Sequence, residues 1–430
     1  MSDESRPEPP SGAPKRRGKP PRKHTVGRVI LISVVVLALV TGLGTVYFIR
    51  HLNGNIEGLS LDPLGDDRPE EVYTGNGEPL DILVMGSDSR DCEGCGIDTE
   101  GGGGSDTTIL VHLSADRSRA YAVSIPRDSI VDRPEQGCDS PAQTDVMWNV
   151  AYEVGGPVCT LAQVEQMTGI RVEHFVVVDF ASFGDMVDAV GGVPVCVPED
   201  IVDKPRQIFV PKGNPSVLTG DEALDYVRAR YVGEKIQQND ISRIRRQQEF
   251  IGALVREVMS AGTLTRLDKV VRFLDAATKS LQTDEEFASV TRLGKVAMQV
   301  QDIGLDQIKF VTLPTEYFPL DSEFEGKVYW TPAADRIWEL LNQDKVLPPK
   351  LINGTSVSAE GPPGASTSSP GGEAGEGTPS SPDSPSGTAE TETPESESPE
   401  SESPESTTET ATPEAPVTTT KQDPIPGICA

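Results

Sequence analysis

The chain has 430 residues, a formal net charge of −29 and 36 prolines. Its composition excludes a single globular unit, because residues 352–430 consist almost entirely of Ser, Thr, Pro, Glu, Gly and Ala. Such a segment buries too little apolar surface to offset its ordering entropy, so we expect a disordered acidic tail that acts as a solvated spacer. Much of the negative charge therefore belongs to this tail and not to the folded part.

A candidate membrane anchor lies near the N-terminus, where residues 29–49 form an apolar run without a charge. A helix of this length crosses a bilayer. The alternative is a cleaved signal peptide, but the run is longer than a typical signal core and no small-residue cleavage site follows it. Basic residues precede the run, so we expect residues 1–28 in the cytoplasm and the chain after Arg50 outside, beginning with a linker at 50–78. The basic residues are Lys15, Arg16, Arg17, Lys19, Arg22, Lys23 and Arg28.

The central region, residues 79–351, alternates apolar strand patterns with helical ones. This alternation predicts an α/β domain that is large enough for a sizeable core. Glycines at 169 and 191 and a Thr219–Glu222 capping box mark helix ends. Predicted strands cover residues 80–85, 107–113, 119–125, 172–180 and 308–313, and predicted helices cover 161–169, 180–192, a segment that begins after Thr219, 240–261, 267–281, 284–301 and 332–341.

Six cysteines follow the anchor, in a compartment where disulfides persist if the predicted orientation holds. Cys138 and Cys159 are a candidate pair, because the stretch between them can close as one loop. The C-x-x-C of Cys92 and Cys95 is compatible with a redox site, a zinc half-site or a local disulfide, and the local disulfide is favoured because no second C-x-x-C or His cluster accompanies it. The pairing of Cys196 and Cys429 stays open.

Charged side chains stand where the predicted strands begin or end. Asp88 and Arg90 follow one strand, Asp106 precedes another, and Arg127 and Asp128 follow a third. In open α/β sheets ligands bind beyond the strand ends, so these groups are expected to converge on one site.

A second concentration of charge is the stretch "LDYVRARYVGEKIQQNDISRIRRQQEF", residues 224–250. In a helix from Asp240, the side chains of Asp240, Arg243 and Gln247 share one face, and Arg245 is expected to face solvent. An exposed Asp240–Arg243 ion pair alone would contribute under about 1 kcal/mol. Arginines from two segments, here with Arg228 and Arg230, instead suit phosphate oxygens, which guanidinium groups bind bidentately.

Two carboxylates, Asp88 and Asp106, suit a hard divalent cation such as Mg²⁺ (or Mn²⁺) that bridges phosphates. Arginines with a carboxylate-bound metal are the usual equipment for phosphoryl transfer, in which catalysis consists of positioning and charge neutralisation. The residues therefore indicate phosphoryl chemistry.

In this order, the motifs "DILVMGSDSR", "SDTTILVHLSADRSRAYAVSIPRDS", "WNVAYEVGG", "FVVVDFASFGDMVDAVGGVPVCV", "LTGDEALDYVRAR" and "NDISRIRRQQEF" resemble the LytR–CpsA–Psr family. The resemblance covers about 40% of the chain. It implies a three-layer α/β/α domain with a central mixed sheet, and an extracytoplasmic phosphotransferase that moves a glycopolymer from a polyprenyl diphosphate carrier to peptidoglycan through a phosphodiester bond.

The resemblance also implies roles for individual residues. Asp88 and Asp106 would hold the metal, and Asp240 and Gln247 would orient the arginines or the attacking hydroxyl. Asp240 and Asp128 are candidate proton acceptors. An apolar pocket would hold the polyprenyl chain. The diphosphate would be bound by Arg127, Arg228, Arg230 and Arg243, with Arg90 close by.

The sequence departs from the family pattern at three places. Gly104, in a run of four glycines, replaces an arginine, Met147-Trp148-Asn149 replaces Lys-Ile-Asn, and the usual second cysteine for Cys196 is missing. A flexible loop at the glycines is favoured over an anion-binding backbone nest.

Three other functions are alternatives to this phosphotransferase, which acts as a glycopolymer–peptidoglycan ligase. A hydrolase would release phosphate from the same carrier, and a wall-binding scaffold would bind lipid without turnover. A nucleic-acid-binding regulator is disfavoured, because the arginines are predicted to lie across the membrane from DNA and no helix-turn-helix pattern accompanies the cytoplasmic segment.

Overall fold

The computed structural model describes residues 25–70, 72–87, 105–230, 240–352 and 356–358. The helices in these ranges are α1 Thr25–Asn53, α2 Val150–Thr168, α3 Phe180–Val190, α4 Gly220–Arg228, α5 Asp240–Met259, α6 Ala261–Leu264, α7 Leu267–Ser280, α8 Val290–Ile303, α9 Pro332–Asn342 and α10 Pro349–Ile352. The strands are β1 Glu57–Leu59, β2 Leu80–Ser87, β3 Ser105–Leu113, β4 Ala120–Ile125, β5 Ile130–Arg133, β6 Gln143–Met147, β7 His174–Asp179, β8 Val193–Val197, β9 Ile201–Asp203, β10 Ile208–Val210, β11 Gly213–Leu218, β12 Leu281–Asp284, β13 Ile308–Thr312, β14 Thr315–Tyr317, β15 Val328–Trp330 and β16 Ser356–Ser358.

Eight of these strands form a central mixed sheet in the order β1-β12-β7-β2-β3-β4-β13-β16. The pairs β1–β12, β7–β2 and β4–β13 are parallel, and the other neighbours are antiparallel. Helices cover both faces. Core residues of β2, β4 and β7 pack with α2 and α9 on one face, and α8 and Ile251 of α5 pack on the other. The predicted three-layer α/β/α fold is confirmed.

A second apolar core lies beside the sheet, between α3, α4, α5 and two hairpins, β8–β11 and β9–β10. Val195, Val210, Tyr226 and Phe250 are among its buried residues. The hairpins were not predicted, because their strands are short and their pairing depends on this tertiary contact.

Most predicted strands and helices are present within a few residues of their predicted bounds, but α2 begins at Val150 and not at Leu161, before a kink at Gly155 and Gly156. Gly169 and Gly191 end α2 and α3 in left-handed conformations, with φ of 67° and 93°. Glu222 accepts a hydrogen bond from the Thr219 amide at 2.9 Å at the start of α4. The helix predicted over 284–301 starts late, at Val290, because residues 281–284 form β12 between β1 and β7.

Helix α1 contains the predicted anchor and is long and apolar enough to cross a membrane. Its end is packed against the domain: Leu52 is buried, and the Asn53 side chain accepts a hydrogen bond from Val290 N at 2.9 Å. Residues 50–78 are predicted to be a linker, yet within this segment Glu57–Leu59 is an edge strand of the sheet. The chain is therefore held to the domain directly after the apolar helix.

One predicted disulfide is present. Cys138 and Cys159 are bonded, which ties the segment after β5 to α2. Residues 352–430 of the predicted tail lie outside the described residues, apart from Ile352 and β16.

A buried charge cluster lies at the start of β2, at the opposite end of the strand from Ser87. His112 is 1% exposed and contacts Asp81 at 2.9 Å and Asp344 at 3.3 Å. Arg119 contacts the same Asp344 oxygen at 2.6 Å. Burial alone would lower the pKa of His112, but the two carboxylates outweigh it and raise that pKa from 6.5 to about 9.

This cluster predicts a loss of stability in mild alkali. Because the folded pKa of His112 lies above the unfolded value, its contribution is complete below about pH 6.5 and is lost as the pH rises through about 9. We expect the free energy of unfolding to fall by up to about 3 kcal/mol over this window. Denaturant titrations between pH 6 and 9.5 measure it. In His112→Gln the free energy of unfolding should change less with pH, whereas the exposed control His51→Gln should behave like the unsubstituted protein. The same pH dependence in the unsubstituted protein and both variants would contradict the assignment.

Candidate active site

The candidate site lies at one edge of the central sheet. Strands β2, β4, β7 and β13 run in the same direction and β3 runs against them. The C-terminal ends of the four strands therefore meet the N-terminal end of β3. Ser87 pairs with both Asp179 and Ser105 at this edge. The strand register therefore places these ends at one edge of the sheet, and the convergence of the charged side chains beyond them stays a prediction.

Helix α5 is fixed over this edge by a buried amide. Gln248 is fully buried, and its Nε2 donates to Ser124 Oγ at 2.9 Å and to Thr312 Oγ1 at 3.2 Å. Ser124 and Thr312 lie at the ends of β4 and β13. Since Arg243 lies five residues earlier in α5, the first turns of this helix are held next to the strand ends.

The segment that carries Arg228 and Arg230 is held by side chains of α5. Arg246 is fully buried and donates to the carbonyl oxygens of Ala229 and Tyr226. Gln247 donates to the Val227 carbonyl at 3.4 Å. Helix C-termini leave carbonyl groups without helical partners, and these two side chains supply donors for them at the end of α4.

The same segment is held from the other side by a buried carboxylate. Asp203 is 0% exposed, and its Oδ2 accepts from the Arg230 amide at 2.9 Å. Arg206 contacts the same carboxylate at 3.4 Å. The backbone is thus bound at Tyr226, Val227, Ala229 and Arg230, so the Arg228 and Arg230 side chains start from a fixed segment.

Arg228 is positioned by an aromatic ring. Its guanidinium carbon lies 5.5 Å from the centre of the Phe180 ring, a cation–π distance. Phe180 begins α3 directly after β7, and its ring lies against Gly86 of β2: a Cβ at position 86 would be 2.8 Å from Phe180 Cζ. The absence of a side chain at Gly86 therefore leaves room for the ring that supports Arg228.

Substituting Gly86 is expected to reduce activity more than stability. In Gly86→Ala the added methyl group forces the Phe180 ring to move and disturbs Arg228. We expect a loss of about 10-fold or more in turnover, since small misplacements of positioning groups are costly. Steady-state kinetics and thermal unfolding measure the two effects. Gly294→Ala, on the exposed side of α8 with no atom near the added methyl group, is the control. Full activity of Gly86→Ala would contradict the role of the ring.

Arg127 and Asp128 follow β4, as predicted. Asp128 is paired with Lys327 at 3.0 Å, and Arg127 Nε lies 3.9 Å from its other carboxylate oxygen. The backbone carbonyl of Asp128 also accepts a hydrogen bond from Val328 N of β15 at 3.1 Å. A carboxylate held by a lysine in this way is suited to fixing the Arg127 loop, which makes Asp128 a weaker candidate for proton acceptor.

Two aromatic residues at the site were not predicted. Trp148, at the position of the Lys-Ile-Asn departure, is buried. Its indole Nε1 donates to Thr108 Oγ1 at 3.1 Å, and its backbone amide donates to the Ser129 carbonyl at 2.8 Å. Tyr152 shares a hydrogen bond with Ser87 at the strand edge, and burial raises the pKa of its hydroxyl. The "WNVAY" stretch between predicted elements was the available signal.

The exposure of the α5 arginines differs from the prediction. Arg243 is 4% exposed and Gln247 is 7% exposed, so the predicted face does point inward. Arg245 is partly buried and does not face solvent freely, and this burial lowers the pKa of its guanidinium. The reason is that α4 and β8 pack against α5, so the helix has less free surface than its sequence indicates.

Several predicted site residues lie outside the described residues. These are Asp88, Arg90 and Gly104, and for Asp106 and Asp240 only the backbone is described. Asp106 follows Ser105 in β3, and Ser105 pairs with Ser87, the residue before position 88. The two positions with carboxylate side chains therefore flank one register pair, and such a donor set fits a hard divalent cation.

Residues 53–346 match the model of the family described as LytR_cpsA_psr. The chain is similar to the cell wall biosynthesis protein LcpA of Corynebacterium glutamicum, with 30% identity over 68% of this chain and 60% of that protein. It is also similar to the polyisoprenyl-teichoic acid–peptidoglycan teichoic acid transferase TagV of Bacillus subtilis, with 30% identity over 60% of this chain and 63% of that protein. The chain thus spans about three fifths of the length of these two relatives.

A solved structure shares the fold. Protein gbs0355 of Streptococcus agalactiae superposes with a TM-score of 0.51 at 23% identity, over 63% of this chain and 90% of that one. The family match covers all the described elements of the site, from β2 to α5. This chain belongs to the LytR–CpsA–Psr family.

Proposed function

We propose that the protein is a membrane-anchored phosphotransferase that moves a glycopolymer from a polyprenyl diphosphate carrier to peptidoglycan, forming a phosphodiester bond. The observation that carries this proposal is the fixed arginine segment: Arg228 and Arg230 extend from a backbone that α5 and Asp203 hold at the sheet edge. The family membership and the activity in the name of the TagV relative support it.

The arginines suit a diphosphate because guanidinium groups match pairs of phosphate oxygens. Arg228 rests on an aromatic ring and Arg243 is almost fully buried, so both are pre-organised, and their charge acts in a partly desolvated site. The neighbouring core of α3, α4 and α5 packs against the same segment and holds it in place. This arrangement favours a ligand with a charged diphosphate head.

The proposed reaction is a displacement at phosphorus. The acceptor hydroxyl oxygen forms a bond to the phosphorus that bears the glycan, and the bond from that phosphorus to the bridging oxygen breaks. Polyprenyl monophosphate leaves, and the hydroxyl proton passes to a base or to water. The arginines stabilise the negative charge that builds up on the phosphoryl and bridging oxygens.

Asp88 and Asp106 would hold the metal ion, with Mg²⁺ or Mn²⁺ as the expected cation. When bound, it supplies neutralising charge to the diphosphate oxygens. Asp240 stays a candidate for receiving the hydroxyl proton and Arg90 a candidate for a further phosphate contact. Both assignments rest on the resemblance of "NDISRIRRQQEF" and "GSDSR" to the family motifs.

We also propose that the domain is extracytoplasmic, with the basic N-terminus inside the cell. The seven basic residues before the apolar helix support this orientation. The Cys138–Cys159 disulfide supports it as well, because such bonds persist in oxidising compartments.

The test uses the purified full chain in detergent with a polyprenyl diphosphate-linked oligosaccharide, a peptidoglycan fragment and Mg²⁺, and follows products by mass spectrometry. We expect a phosphodiester-linked product that disappears when a chelator removes the metal. Free sugar phosphate without joining would replace the ligase by a hydrolase, and lipid bound without turnover would replace it by a scaffold.

A further inference from the structure

Cys196 of β8 has a disulfide partner outside the described residues. Cys196 is disulfide-bonded, while Cys138 and Cys159 are bonded to each other. The remaining cysteines of the sequence are Cys92, Cys95 and Cys429. Cys92 and Cys95 are three residues apart, a spacing that a turn can close by itself. If those two pair, the partner that remains for Cys196 is Cys429.

Cys196 lies on the outward side of its hairpin. Val193, Val195 and Val197 of β8 are buried in the second core, and Cys196, which alternates with them, is only partly buried. On the paired strand β11, Val217 stands opposite Pro194 and is 56% exposed. The outward face of β8–β11 is therefore an apolar sheet surface with a cysteine on it.

The hairpin β9–β10, which lies between β8 and β11 in the sequence, also exposes apolar side chains. Val202 and Phe209 are register partners in β9–β10 and are 46% and 56% exposed. Side chains opposite each other in an antiparallel pair lie on the same face. Two adjacent hairpins thus both expose apolar side chains, which is the composition of a surface that an apolar segment covers.

The chain itself contains a matching segment at its end. After the Ser, Thr, Pro and Glu of the acidic tail, residues 424–430 read "PIPGICA" and carry Ile425, Ile428 and Cys429 but no charged side chain. The tail starts at a known place, since β16 pairs with β13 at the sheet edge. From there to Cys429 it has about 70 residues, whose root-mean-square span as a coil is about 45 Å. The radius of gyration of a folded domain of this size is about 19 Å, so the segment reaches β8 without stretching.

We propose that residues 424–430 dock on the outward face of β8–β11 and that Cys429 forms a disulfide with Cys196. The two thiols give up two electrons and two protons to the disulfide of an extracytoplasmic dithiol–disulfide oxidoreductase, which is reduced to its dithiol. The acidic tail then becomes a closed loop that is attached to the domain at both ends, at β16 and at β8. It does not extend as a free arm.

Non-reducing peptide mapping of the full chain, purified from the membrane, tests the bond. Trypsin releases Cys196 in peptide 172–206, Cys429 in peptide 422–430, and Cys92 with Cys95 in peptide 91–117. We expect peptide 172–206 linked to peptide 422–430, with the linked mass lost on reduction, and an internal bond in peptide 91–117. A link between peptides 172–206 and 91–117, or Cys429 as a free thiol, would overturn the proposal.

Paired variants separate the bond from general folding. In Cys429→Ser, Cys196 should become available to an alkylating reagent, and amide hydrogen exchange should increase in β8 and β11. The matched control, Cys92→Ser with Cys95→Ser, should retain the link and the slow exchange. Equal exchange in both variants would overturn the docking, and resistance of Cys196 to alkylation in Cys429→Ser would overturn the pairing.

Discussion

Arg246→Ala is expected to lower the free energy of unfolding by about 3 to 5 kcal/mol. The Arg246 side chain is fully buried, and its loss leaves a cavity together with the carbonyl groups of Ala229 and Tyr226 without their donor. Burial lowers the pKa of this guanidinium to about 10, so it remains charged at neutral pH. The buried charge is stabilised by the carbonyl oxygens that end α4, and each loses that partner in the variant.

Two further variants make this prediction specific. Arg246→Met keeps most of the volume and loses the hydrogen bonds, so we expect about half of the effect. Arg272→Ala removes an exposed arginine from α7 that pairs with Asp268 at 2.9 Å, and its effect should stay below about 0.5 kcal/mol. Denaturant unfolding of the full chain in detergent measures all three. The assignment fails if Arg246→Ala and Arg272→Ala have equal stability.

The burial of Arg246 shows what the sequence could not predict. The stretch "SRIRRQQEF" contains three arginines and two glutamines. Helical periodicity gives each side chain a direction around the helix axis, but it does not say which directions are buried. Which of them is buried depends on the hairpins and on the end of α4 that pack around α5, and these are tertiary contacts. Arg245 was assigned to solvent for this reason, although it is partly buried.

Other features followed directly from local rules. Gly169 and Gly191 predicted helix ends because each takes up a left-handed conformation that residues with a Cβ disfavour. The strand ends before residue 88 and before Arg127 lie at one edge of the sheet, where the rule that ligands bind beyond strand ends predicts the site. By contrast, β12 was not predicted: Leu281 was assigned to the end of α7 and Asp284 to the start of α8, because these residues are a strand only through their pairing with β1 and β7.

Arg228→Ala is expected to reduce the turnover number for glycopolymer transfer by about 10²- to 10³-fold, the range found when one preorganised donor to a developing negative charge is removed. Arg228 is the last residue of α4, and Arg246, Gln247 and Asp203 bind the backbone on either side of it. Its guanidinium carbon lies 5.5 Å from the Phe180 ring centre. The folded state should change little, since the side chain is only partly buried and its backbone contacts remain. Arg228→Lys should recover only part of the loss, because an ammonium group has no planar fork for two phosphate oxygens.

The measurement is single-turnover transfer with the polyprenyl diphosphate-linked substrate, together with thermal unfolding of each variant. Arg336→Ala, which removes an exposed arginine of α9 paired with Glu339, serves as the control for loss of a positive charge and should keep full activity. If Arg228 contacts the diphosphate, the loss in Arg228→Ala persists at saturating substrate, because an interaction stronger in the transition state lowers the turnover number itself. If only KM rises and the turnover number is unchanged, Arg228 binds the substrate but does not stabilise the transition state. The role in stabilising the departing phosphate would then pass to Arg243, which is almost fully buried on the first turns of α5.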